Sequence, residues 1–120
     1  MSLAAKLQVK AGQRVRRVNA PRGFALDAPT TRSPAAEGVL VFVKDQAELR
    51  KHAGPAVEAA RADRLAWVAY PKAGQLGTDL HRDVLWKLLE KERVRPVRQV
   101  ALDDVWSALR FRPALSLIHI

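Results

Sequence analysis

The chain has no cysteine among its 120 residues, which removes disulfides, thiolate metal sites and cysteine nucleophiles together. It has no run of about 18 apolar residues, the length a membrane-crossing helix needs. Its start, MSLAAKLQVKAG, lacks the apolar stretch of a secretory leader behind a basic end, so the expected location is cytoplasmic, with no membrane partner. Its three histidines, His52, His81 and His119, stand apart without a second histidine at ligand spacing. Surface or capping roles suit them better than a metal, and no metal site is expected.

Positive charge is plentiful. Twenty-one Lys and Arg stand against 12 Asp and Glu, a formal net charge of +9, and fields of that size raise encounter rates with anionic partners. High arginine and alanine usage is also what a GC-rich genome produces, so the charge alone does not name a partner. At 48% hydrophobic and 28% charged the composition is that of an ordinary globular protein, and the length suits one domain, residues 1–113. The apolar tail, residues 114–120, has no evident partner and is either native or cloning-derived.

Along the chain, Leu3 to Leu7 reads as a short helical turn, and Val15 and Val18 mark a first strand ending near Asn19. The run Phe24 to Glu37 contains two prolines and no periodicity, which predicts an irregular connection. GVLVFVKD, Gly38 to Asp45, has the continuous apolar centre of a strand buried on both faces. Asp45 and Glu48 have capping-box spacing, so a helix starts there, and Gly54-Pro55 divides it in two. Leu65 to Tyr70 repeats the buried-strand pattern. Leu80, Val84, Leu85, Leu88 and Leu89 then mark one face of a helix capped by Thr78 or Asp79.

VRPVRQVALDDVWSALRFRP reads as an antiparallel hairpin turning at Asp103-Asp104. Pro96 and Arg98 place its first strand at a sheet edge, where a missing donor does least harm. The sum is an α/β fold, a single three-layer Rossmann-like domain of about five strands, three parallel plus a C-terminal antiparallel hairpin, with right-handed crossovers. The short Phe24 to Gly38 connection should leave Arg14 to Asn19 as an exposed edge, which invites a homodimer.

This layout is similar to the C-terminal half of a Rossmann-like methyltransferase, a resemblance that implies the strand order one, two, three, five, four. More specifically, GVLVFVKD, LAWVAYPK and VALDDVWSALRFRP resemble a family of small uncharacterised bacterial proteins, a domain of unknown function. In that family an apolar strand ending in Pro-Lys precedes a helix and an Asp-x-Trp-Ser-Ala-x-Arg segment, here Asp104 to Arg110. The resemblance spans roughly Gly12 to Pro113 and implies a fold without an established activity. Methyltransferases of this layout hold S-adenosylmethionine on a glycine-rich turn; here NAPRGFA offers Gly23 alone, so no cofactor is expected.

YPKAGQLGTDLHRD, Tyr70 to Asp83, invites comparison with a phosphate loop, but Lys72 precedes Gly74 and Gly77, the reverse of a Walker sequence. A self-capped helix start near Thr78 is the simpler reading. Ser107 lies mid-strand rather than on a nucleophile turn, Asp103 and Asp104 do turn chemistry, and Trp67, Trp86 and Trp106 read as core. No catalytic residue emerges.

Geometry supplies the positive argument. Open parallel sheets bind ligands beyond the carboxyl ends of their strands, and there Arg22, Lys44 and Lys72 would bring three cations to one rim, beside Asn19, Tyr70 and Thr78. The first reading is thus a non-catalytic binding or interaction module holding a small anionic ligand or a partner protein at that rim. The alternative is a nucleic-acid-binding protein using Arg14, Arg16, Arg95, Arg98, Arg110 and Arg112 as phosphate contacts. A continuous stripe of these arginines would favour the alternative, and dispersed charges the first. An uncharacterised enzyme stands third.

Overall fold

Five consecutive buried residues need apolar neighbours on both faces, and Gly38–Phe42 meets that condition as β2, buried at every position. The computed structural model, which describes residues 2–114, sets β2 between β1 (Val15–Val18) and β3 (Leu65–Pro71), both parallel to it. β5 (Trp106–Pro113) runs antiparallel to β3, and β4 (Val94–Ala101) runs antiparallel to β5 on its outer side. The order β1-β2-β3-β5-β4 is the one expected, with Pro96 in an edge strand.

The two-residue period of a strand sorts these side chains onto two faces. Val39, Val41, Ala66, Val68 and Phe111 pack against α2 (Gln46–His52), α3 (Gly54–Arg61) and α4 (Arg82–Glu90), through Leu49, Val57, Ala60, Leu85 and Leu89. Leu40, Phe42, Trp67 and Ala108 face the other way, beneath Leu7, which ends α1 (Leu3–Lys6), and beneath Phe24 and Leu26 of the long connection. The Trp67 indole N–H donates to the Leu7 carbonyl at 2.9 Å, and Phe42 sits edge-on between Phe24 and Trp106. One outer layer is therefore helical. The other is one helical turn and irregular chain, as the prolines of residues 24–37 predict.

Two further expectations change. The crossovers β1 to β2 and β2 to β3 step in the same direction across the sheet yet cover opposite faces, so they cannot share a hand. The right-handed rule depends on a helix packing back onto the sheet, and the first crossover has none. The outer edge of β1 is also not bare: Val15 donates to the Pro29 carbonyl at 2.9 Å and accepts from the Thr31 N–H at 3.0 Å.

Helix starts obey local chemistry only in part. Asp45 accepts from the Glu48 N–H at 2.9 Å as predicted, but the Glu48 carboxylate returns to the Lys44 N–H, also at 2.9 Å, instead of closing on Asp45. Ala53 ends α2 and begins α3, with Pro55 in the first turn. α4 begins later than expected, at Arg82, with His81 as an N-cap lacking a side-chain bond. Thr78 accepts from the Leu80 N–H at 2.9 Å in a turn of its own. Trp86, expected in the core, is 46% exposed, because Leu85 and Leu89 hold the buried face and the next position lies about 100° round the helix. Among the described residues no helix is long and apolar enough to cross a membrane. The tail from Leu115 onward, with His119, lies outside the described residues.

Candidate functional site

The carboxyl ends of β1, β2 and β3 lie together, since Val18 pairs with Val41 and Phe42 with Ala69. Asn19, Lys44 and Lys72 follow these ends, but most of the candidate rim is already engaged. The Asn19 amide donates to the Phe42 carbonyl at 2.9 Å and to Glu48 at 3.2 Å. Lys44 holds its ammonium 4.0 Å from the same carboxylate. Glu48, which the sequence suggested only as a helix cap, is thus the hub of this corner. Tyr70 points to the helical face, where its hydroxyl accepts from Gln99 at 2.9 Å and burial pushes its pKa up. That leaves Arg22, which is exposed, and Lys72, whose side chains have no hydrogen-bond or ion-pair partner among the described residues.

The Tyr70 to Asp83 stretch is a strand-to-helix connection. Gly74 and Gly77 have φ of 81° and 61°, values that favour glycine, and the chain folds through turns closed by Gln75 to Lys72 at 2.9 Å and Thr78 to Gln75 at 3.2 Å. Asp79 reaches across to α2, where its carboxylate accepts from the Gln46 N–H at 2.9 Å. With Asp45 on Glu48, two of the first donors of α2 are filled from within the protein.

A second arrangement gathers charge on the hairpin. Arg95 pairs across the strands with Arg112, and Arg98 with Arg110. Cross-strand partners share a face, so four arginines stand together. Strict alternation would send Arg95 and Arg98, three residues apart, to opposite faces. The ladder shifts register between Pro96 and Arg98, and the extra residue, Val97, returns Arg98 to the face of Arg95.

Their partners differ. Arg112 grips Asp63 with two bonds of 2.9 and 3.0 Å; Arg110 donates to Gln8 at 2.6 Å; Arg95 donates to the Pro113 carbonyl at 3.2 Å. Arg98 is exposed and has no side-chain partner among the described residues. The Arg112 hydrogen bond holds the Asp63 carboxyl below its ordinary range, with the charges of Arg110 and Arg95 acting in the same direction. Burial, then the charges of Arg112 and Arg98, push the Arg110 pKa down. Arg14, just before β1, and Arg16, within it, stand apart at the far edge. Arg14 pairs with Glu37 at 3.1 Å and its hydrogen bonds hold that carboxyl down to about 2, while Arg16 lines an open groove of about 730 Å³ in the helical layer. The six arginines therefore form one group of four and two outliers.

Gln8 and Asp63, the partners of Arg110 and Arg112, occupy equivalent places. Each is the residue past a helix end, with φ of 62° and 57°, the left-handed conformation usually given to glycine. At α1, Gln8 donates to the Ala5 carbonyl and Val9 to Ala4, at 3.0 and 2.9 Å; at α3, Asp63 donates to Ala60 and Arg64 to Ala59, at 3.0 and 2.8 Å. A side chain in that conformation costs about 1–2 kcal/mol, less for Asp. Here each one meets a β5 arginine. Neither residue carried a signal in the sequence, because each contact joins distant segments.

Among the described residues no group of three or more histidine, aspartate or glutamate side chains could hold a metal ion. Comparison with protein-family models, with curated proteins and with solved structures finds no match to this chain.

Proposed function

We propose that the protein binds nucleic acid through the arginine face of the β4–β5 hairpin, contacting phosphates and not base edges. The observation that carries this reading is the pair of like-charge cross-strand couples, Arg95 with Arg112 and Arg98 with Arg110. Such couples are destabilising in an isolated sheet, and a phosphate backbone relieves the repulsion while releasing counterions. Asp63 bonds Arg112 alone, its charge reaching Arg110 and Arg95 without a bond, and the net charge of +9 adds a long-range attraction. The test is a fluorescence-anisotropy titration of a labelled duplex at low and moderate salt, with the wild type and with Arg95→Glu and Arg98→Glu combined. Binding that weakens with salt and is abolished by the double reversal supports the reading. No binding at low salt removes it.

A second reading keeps the rim, on the observation that Arg22 and Lys72 are unengaged among the described residues while the other rim groups bond internally. A small anionic ligand or the acidic surface of a partner protein fits either of these cations. Lys72→Ala should then weaken sulfate or phosphate binding without changing thermal stability, and unchanged anion binding discards the rim.

A further inference from the structure

Behind Arg110, on the side of the helix ends, lies an open, largely solvent-facing cavity of about 590 Å³ lined by Gln8, Lys10, Gln13, Glu37, Asp63, Arg64 and Arg110 among others. Its two carboxylates are each spoken for from outside the lining: Glu37 by Arg14, through bonds of 3.3 and 3.1 Å, and Asp63 by Arg112. Three cations, Lys10, Arg64 and Arg110, are left without a carboxylate of their own among the described residues. Arg64 is held in place by the Pro34 and Ala36 carbonyls at 3.1 and 2.7 Å. Arg110 has only the neutral Gln8 amide as a side-chain partner, and its Nε is buried with none. Asp63 adds its charge to Arg110 without a bond to it, so this guanidinium still lacks a bonded anion.

We propose that this cavity binds a phosphoryl group, with Arg110, Arg64 and Lys10 as its charge partners and Gln13 beside them. A phosphoryl group carries up to two charges on three oxygens, more than a carboxylate offers to three cations, and the guanidinium fork matches its geometry. The cavity exceeds a lone phosphate and lies in the size range of small-ligand sites, so an ester fits, with the rest of the molecule extending outward. The inference stands on the cavity and not on the hairpin reading. The same phosphoryl chemistry has two sources: the terminal phosphate of a nucleic acid lying on the hairpin, or a free phosphorylated small molecule.

Isothermal titration with inorganic phosphate, with a nucleoside monophosphate, and with an oligonucleotide carrying or lacking a terminal phosphate tests the proposal. Inorganic phosphate should bind one per chain, about tenfold more weakly in Lys10→Gln and in Arg110→Gln, and equally well in Lys87→Gln, an exposed position on α4 outside both sites. Lys10 is exposed, so its variant folds even if the Arg110 variant does not. Tighter binding of the phosphorylated oligonucleotide than of its unphosphorylated twin assigns the source to a nucleic-acid end; tighter binding of the monophosphate alone assigns it to a free ligand. Absence of phosphate binding overturns the proposal. So does a loss in Lys87→Gln as large as in Lys10→Gln, since phosphate would then report only net charge. Duplex binding with a smaller salt slope in Arg98→Gln, beside phosphate binding lost in Lys10→Gln, separates the cavity from the hairpin face.

Discussion

Replacing Arg98 by glutamine removes the one hairpin arginine that makes no side-chain bond among the described residues, so its effect on binding is separable from its effect on folding. Each phosphate neutralised by a cation contributes about −0.9 to the slope of log affinity against log salt, so four arginines give about −3.6. If Asp63 already compensates Arg112, three remain, and the slope falls to about −2.7. Raising salt from about 50 to about 200 mM should then weaken duplex binding roughly 40- to 150-fold. Arg98→Gln should reduce the slope by about 0.9 at any duplex sequence, because a phosphate contact carries no base information. Stability should change by no more than about 0.5 kcal/mol, as for other exposed surface positions. The assay is anisotropy over a salt series, beside urea denaturation of both proteins, with Arg22→Gln at the rim as a control of equal charge. An unchanged slope in Arg98→Gln refutes the reasoning, and so does an equal reduction in Arg22→Gln.

Two other predictions concern the frame that holds these groups. Trp67→Ala should cost about 3–5 kcal/mol in urea denaturation, because it empties the centre of the α1 side of the sheet and strands the Leu7 carbonyl; a loss below about 1 kcal/mol would mean that this side is not core. Glu37 is held at about 2 against an ordinary value of 4.5, so its carboxylate contributes stability above 4.5 that is lost as pH falls through about 2. Glu37→Gln should therefore flatten the acid limb of thermal stability in that window, and an unaltered limb would show that the Arg14 pair contributes nothing there.

What the sequence made legible is what short-range pattern dictates. The unbroken apolar runs at Val39 and Leu65 announced strands buried on both faces, and Pro96 announced an edge, because these depend on burial and on one missing donor. The hairpin group of four arginines was only half legible. Arg110 and Arg112 alternate in phase, but Arg95 and Arg98 do not, and nothing in RPVRQ marks Val97 as the extra residue. The rim was legible as a place and not as a site. Its strand ends do meet, yet whether Asn19 or Lys44 is available depends on Glu48, and the start of α4 depends on Asp79 serving α2 in place of its own helix. Such choices are made between segments, where no local pattern records them.

The non-glycine helix ends at Gln8 and Asp63 bear on the order of folding. In a detached peptide, only the local bonds back to Ala5, Ala4, Ala60 and Ala59 reward either residue for turning left-handed, so α1 and α3 should fray or stop at varying places. The stop becomes definite only when β5 arrives, 102 residues away from Gln8 and 49 from Asp63, and offers Arg110 and Arg112 as partners. Termination of these two helices is then a late event, coupled to closure of the C-terminal hairpin onto β3. A nascent chain that has not yet emerged past Arg112 would hold both segments with unfinished ends.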